Sequence, residues 1–276
     1  MDFVETLKLV GAFLAALIAS RTIWSGVRRW YVKGWGSRRA WREMLNLLTN
    51  WADDDYIKDL LGTPVFRHEG RLNHPGADEA PDWIDRIYST PHAWVVTRSI
   101  KQRVECWSVT VTDPKFWWDV EDVTFQMTKG RLGRATFAAL VERPSGRYAQ
   151  RGARRYDYAE GVYLGNPGAH QNFVFMYHTG GVGDLHPSEV DVLKTGSFAR
   201  DVEVGDPHEP SLEETRQKTT VNTIIVLSPT ISPQDLVEQS LPVADADLTR
   251  LFHPYRKIRG PKRDGVMKAH GTNGTN

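Results

Sequence analysis

Four histidines, His170, His178, His186 and His208, fall within forty residues of one another, with Asp184 and Asp191 among them. Imidazole and carboxylate groups serve general acid–base chemistry and metal binding, so an active site would be sought here first. A zinc site needs three or four such ligands converging from ordered elements at short spacings, and no pair here has that spacing. The catalytic candidates are therefore His178, Asp184 and His186, in a Gly-rich loop, with no metal assigned. Gly130, Gly133 and Arg134 lie before a helical stretch as in a phosphate loop, but the spacing departs from that pattern and no Lys-Ser/Thr pair ends it. There is no Gly-x-Ser-x-Gly elbow, and Cys106, the single cysteine, has no activating neighbour in its strand-like surroundings. A small buried apolar role suits it. Asp53, Asp54 and Asp55 read as an N-cap and first-turn acids of a helix rather than as a calcium loop. No motif calls for a cofactor.

The elements that would position these residues begin with an apolar run, Leu9 to Ser20, followed by Arg21, Arg28, Arg29, Lys33, Arg38, Arg39 and Arg42 with no acid among them. The run is too short for a hydrocarbon core of about 30 Å, so a span must take in Arg21. From Leu7 to Val27, nine strongly apolar residues favour insertion by roughly 0.3–0.6 kcal/mol each, against at most about 3 kcal/mol for an off-centre, snorkelling Arg. Trp24, Trp30 and Trp35 then occur where amphipathic rings meet headgroups. The expectation is a single-pass helix over 1–27 in an inner or plasma membrane, N-terminus outside and the body cytoplasmic. Its interface set is Arg21, Trp24, Arg28, Arg29, Trp30, Lys33, Trp35, Arg38 and Arg39. A surface-lying helix and a cleaved signal peptide are the rival readings, the latter opposed by Asp2 and Glu5 in its n-region.

Charge is segregated along the chain. Residues 21–42 carry +7, residues 43–255 carry −10 and residues 256–276 carry +5, although the whole is only +1. An acidic body between basic arms disfavours nucleic acid as a partner and favours a membrane surface and a membrane-proximal protein. Within the body, residues 129–155 hold eight basic residues and residues 184–214 nine acids. Either the acidic stretch neutralises the basic one or one patch is left for a charged partner.

Apolar spacing predicts an amphipathic helix within 28–52, carried by Trp41, Met44, Leu45, Leu48 and Trp51, and a short helix after Asp53 that stops at Gly62. Strands are expected over Trp94–Thr112, broken near Lys101, with a third through Val123, Phe125 and Met127. A helix over Leu132–Val141 follows, then strands Tyr156–Leu164 and Gln171–His178 about a tight turn, a strand over Thr219–Leu227, and a short helix opening at Pro233. This is an α+β body over 53–255, an antiparallel sheet with helices on one face, arranged as two tandem units, 53–127 and 128–180. Residues 256–276 form a basic disordered tail.

The helix running into Leu61, Gly62, Thr63 and Pro64 and then a hairpin resembles the module shared by outer-membrane assembly lipoproteins and β-lactamase-inhibitor proteins. Gly133, Thr136 and Phe137 leading to Tyr156 and Tyr158 look similar. The two patches cover about half the chain, without the family's lipidated cysteine. The resemblance implies a fold and a binding role, and fold alone does not carry function. The functional expectation is a membrane-tethered, non-catalytic interaction or sensing module, with an enzyme working around His178, Asp184 and His186 as the alternative.

Overall fold

The computed structural model describes residues 35–71, 82–151, 156–166, 169–185, 210–233, 236 and 241–243. The anchor and its interface residues from Arg21 to Lys33, the tail 256–276, and His186, Asp191 and His208 lie outside the described residues. No helix among the described residues is long and apolar enough to cross a membrane.

The chain divides into two units, 1–45 and 46–276. The first contains helix α1, Trp35–Leu45. Here the structure departs from the spacing: the helix stops at Leu45, and Trp51, six residues on, has φ 62°, a left-handed backbone that no α-helix continues through.

The second unit opens with α2, Asp54–Leu61. Its N-cap is Asp53, whose carboxylate accepts from the Asp55 N–H, and Asp54 and Asp55 sit where first-turn acids oppose the helix dipole. Ile57 supplies its buried face. Gly62 ends it with φ 86°, donating its N–H to the Lys58 carbonyl.

The strands β1 (Phe66–Arg71), β2 (Asp82–Ser89), β3 (Ala93–Ile100) and β4 (Arg103–Val111) form a meander. A two-stranded ribbon of β5 (Trp118–Asp119) and β6 (Arg131–Leu132) and a single-turn helix α3 (Phe137–Leu140) follow. A second meander begins with β7 (Gly146–Arg151), β8 (Tyr156–Asn166) and β9 (Ala169–His178). It takes its fourth strand, β10 (Thr223–Leu227), only after helix α4 (Pro210–Lys218). The eight long strands make one antiparallel sheet, in the order β1-β2-β3-β4-β10-β9-β8-β7. The meanders meet at the β4–β10 seam, where Ile225 lies opposite Ser108 and Thr223 opposite Thr110. The body is thus α+β around an eight-stranded antiparallel sheet.

Side-chain alternation sorts the sheet into two faces. On one, Ser99 and Arg86 meet Asp54 of α2, Tyr158 meets Phe137 of α3, and Glu160 meets Arg216 of α4. On the other, Cys106, Val174, Met176, Ile225 and Leu227 pack against Ile231, Leu236 and Leu241 of the segment that leaves β10. The first meander adds Ile87, Trp94 and Val96, joined by Phe66.

Two predicted elements differ. Residues 121–128 form a compact turn rather than a strand, stapled by the Thr124 hydroxyl, which donates to the Val120 carbonyl and accepts from the Thr128 N–H. Phe125 and Gln126 have φ 55° and 63°, which breaks the extended run that Val123, Phe125 and Met127 suggest. The helix expected from Leu132 is shortened to Phe137–Leu140, because Leu132 pairs with Trp118 in the ribbon and Gly133, at φ 85°, turns the chain. Only parts of the stretch after Pro233 are among the described residues, so the helix expected there lies largely outside them.

Candidate functional site

The structure brings His178 to Asp157, its cross-strand partner in the β8–β9 ladder. His178 Nδ1 lies 2.8 Å from Asp157 Oδ1, and both side chains are completely buried. The surrounding backbone is held by Asn222, the residue immediately before β10. Its amide oxygen accepts from the His178 N–H (2.8 Å) and the Thr223 hydroxyl (2.9 Å). Its amide nitrogen donates to the carbonyls of His178 and Val182, both at 2.9 Å. The Val182 N–H in turn donates to the Val111 carbonyl, so the Gly-rich segment after β9 is bound down across the end of β4. Asp184, two residues on, is exposed, and His186 lies outside the described residues. His170 is exposed on β9 with its ring 5.1 Å from Tyr163. Of the predicted catalytic set, His178 is therefore a fully buried group tied to an aspartate that the sequence did not single out.

Two further buried ion pairs occupy the sheet. Glu160 on β8 accepts through Oε1 from the Tyr158 hydroxyl (2.6 Å) and from Arg216 Nε (2.8 Å), with Arg147 Nε 3.7 Å away. Arg216 also donates to Glu213 and to the carbonyl of Val141, the C-cap of α3, so one guanidinium joins α4, α3 and β8. Burial holds the Glu160 carboxyl above the usual carboxylate range, against the pull of Arg216, Tyr158 and Arg147. Burial, then Glu160 itself, pushes the Tyr158 phenol well up. In the first meander Arg98 grips Asp85 with two parallel bonds, 2.7 and 2.8 Å, and its guanidinium lies 4.0 Å over the Trp83 ring. Burial opposes the charged guanidinium, but the bidentate bonds to Asp85 outweigh it and strengthen its hold on the proton. A third imidazole, His92, is buried against Asp113 at 2.9 Å and stacked on Phe116. These groups fasten strands and helices to one another.

The exposed chemistry lies elsewhere. Leu47, Trp51, Tyr56, Phe125 and Met127 are large apolar residues left half-exposed. The Tyr56 hydroxyl donates to the Leu47 carbonyl (3.1 Å), placing its ring beside the first loop. Asn46 bridges that loop to the 121–128 turn: its amide nitrogen donates to Asp122 (2.9 Å) and its oxygen accepts from the Trp118 indole (2.6 Å). Leu47 and Trp51 thus lie on one loop and Phe125 and Met127 on another, the two tied together at Asn46, while Tyr56 stands on α2.

Of the membrane-interface residues, Arg38 and Arg39 are on α1, where Arg39 makes an exposed ion pair with Glu43 (2.9 Å). Trp35 opens that helix. The charge-segregated stretches are described in part: Arg147 faces Glu160 of the adjacent strand, and Glu213 pairs with Arg216.

Nothing local in the sequence marks Asp157, Glu160 or Asp85 as buried partners, since each becomes legible only through the residue opposite. A weak signal was available: an acid among apolar and aromatic residues in a strand pattern, as at Tyr158-Ala159-Glu160, requires a buried cation. Comparison with family models, with characterised proteins and with solved structures finds no match to this chain. The resemblance to the helix-plus-hairpin module gains no support from them.

Proposed function

We propose that this chain is a membrane-tethered, non-catalytic interaction module, in which the N-terminal segment with its basic and aromatic flank holds the α+β body at a bilayer surface. The observation that carries the interaction role is the set Leu47, Trp51, Tyr56, Phe125 and Met127, half-exposed on helix α2 and on two loops joined by Asn46. Large apolar residues left exposed on neighbouring segments are a feature of contact surfaces in folded proteins. The ionisable groups with the greatest chemical potential, Glu160, His178 and Arg98, are buried in bonds that hold the fold together. Tethering would raise the effective concentration of the body toward a membrane partner. Working against the alternative, an enzyme acting through His178, Asp184 and His186, is the burial of His178 beneath the Asn222 clasp, whereas Asp184 faces solvent.

The test is carbonate extraction of membranes from cells expressing the full chain, with protease protection of residues 256–276 in sealed vesicles. Retention with a cytoplasmically accessible tail supports the tether. Release of a full-length chain overturns it.

A further inference from the structure

The eight-stranded sheet ends in two edges, β1 and β7. An edge strand presents a row of backbone N–H and C=O groups to any extended chain that can lie against it, and charged side chains are a common guard. At β7 Tyr148 and Ala149 are buried, Arg147 stands 3.7 Å from Glu160 of its own sheet, and the strand contains no acid. At β1 the row is open: Arg67, His68 and Glu69 all face solvent, and among the described residues the strand pairs with β2 alone.

The charges of β1 alternate in sign. Arg67 lies opposite Arg86, so it and Glu69 stand on the face that carries α2, where they pair along the strand at 2.6 Å with 55% and 64% of their side chains exposed. Phe66, His68 and Gly70 stand on the other face. A guard of like charges repels a second copy of itself, whereas alternating charges attract one in the right register.

That register can be worked out. Two copies of β1 paired antiparallel about a two-fold axis normal to the sheet keep their faces in common, so only residues of the same parity lie opposite one another. An axis at Arg67 or at Glu69 sets that residue against its own copy, like charge against like. An axis at Gly70 overlaps only residues 69–71 of the strand. An axis at His68 overlaps residues 66–70 and sets Arg67 opposite Glu69 twice, once on each side of the axis. The same axis sets Phe66 opposite Gly70 on the other face. Gly70 is roofed by the Trp83 ring, so closely that an added Cβ would sit 2.2 Å from Trp83 Cζ2. The incoming Phe66 would therefore meet an indole instead of bare backbone. One axis satisfies both faces.

We propose that β1 is a self-association edge, on which two copies of this chain pair antiparallel about His68 and join their sheets into one. This deepens the interaction-module reading by naming a second copy as a partner, and it rests on β1 rather than on the exposed loop residues or the tether. Sedimentation velocity of the full-length chain in a neutral detergent tests it. Wild type should show a monomer–dimer equilibrium. Arg67→Glu alone or Glu69→Arg alone should weaken the dimer about tenfold, because the axis makes each reversal count twice. An equimolar mixture of the two variants should restore it as a heterodimer, since every cross-axis pair again joins an acid to a base, and the double variant should dimerise like wild type. Both positions are exposed, so these changes leave the fold intact.

A wild type that stays monomeric, self-association that ignores the reversals, or single variants that fail to complement each other overturns the pairing. A monomer leaves the exposed loop residues for a different partner, so the interaction module survives that result. Carbonate extraction tests the tether separately, and a chain released from membranes that still dimerises through β1 leaves this proposal standing.

Discussion

Replacing Arg216 by Met should destabilise the body by about 3 kcal/mol at neutral pH, at the lower end of the range for removing one member of a buried ion pair. The magnitude follows from what remains. Glu160 is completely buried and loses a 2.8 Å partner, but it keeps the Tyr158 hydroxyl at 2.6 Å, and Arg147 is only 3.7 Å away and able to close in. The Val141 carbonyl also loses its donor, freeing the end of α3 from α4. The deficit should depend on pH with a definite sign. Burial already holds the Glu160 carboxyl above its unfolded value, and losing Arg216 raises it further, so the native state of the variant takes up a proton that the unfolded chain has released. A raised folded value means that the stabilising contribution is present at low pH and is lost as pH rises. The deficit should therefore be smallest near the unperturbed glutamate pKa of about 4.3 and grow upward by at most about 1.4 kcal/mol per pH unit. Urea titrations of wild type and Arg216→Met, followed by tryptophan fluorescence across that range, measure it directly. Adding Glu160→Leu should recover most of the loss, because an apolar pair needs no counter-charge. A deficit under about 0.5 kcal/mol, or one that widens on acidification, would refute the reasoning.

Cys106 should be inert in the folded protein: it is fully buried, and burial pushes its thiol up to about 12, so thiol reagents should label it only at the rate of unfolding. Faster native labelling would show that this sheet face opens. Gly181→Ala should cost about 2–3 kcal/mol in a denaturant titration, since the added Cβ would sit 2.5 Å from Asn222 Cγ and displace the amide that clasps His178 and Val182. An unchanged midpoint would mean that the clasp is dispensable. Gln126→Gly, by relieving a left-handed residue at φ 63°, should stabilise by about 1 kcal/mol, seen as a raised melting temperature; a loss of stability would contradict the strain assigned to the 121–128 turn.

The strands legible in the sequence are those whose side chains match a pleated, buried surface on their own account. Val95, Val96, Val109, Val111, Ile224 and Ile225 announce β3, β4 and β10, and the turn residues between β8 and β9 announce that hairpin. Strands β1 and β7 carry Arg67, Glu69 and Arg147 among few β-formers, and in β2 the β-formers Trp83, Ile84, Ile87 and Tyr88 are interrupted by Asp85 and Arg86. They exist because neighbouring strands hold their backbones, and in β2 because Arg98 stands opposite Asp85. Such a condition joins residues distant in the chain and cannot be read along it. The same holds for the exposed loop residues. Alternation at Val123, Phe125 and Met127 suggests a strand because a left-handed backbone leaves no mark in residue type, and the solvent exposure of Trp51 is set by packing rather than by helical period.

The seam between the two meanders also bears on the order in which the body assembles. Pairings within β1–β4, and within β7–β9, join neighbours along the chain, and hairpins of that kind close within microseconds. The β4–β10 ladder joins segments on the order of a hundred residues apart, so it bears the chain entropy of the longest closure in the sheet. Until it forms, the inner edges of both meanders, β4 and β9, are unpaired strands presenting Val109 and Phe175 to any other chain nearby. The clasp at Asn222, one residue before β10, then acts as a latch: it ties the arriving strand to the end of β9 and, through Val182, to the end of β4. Late closure at this seam makes the body's window of exposure to aggregation a property of one short strand, Thr223–Leu227.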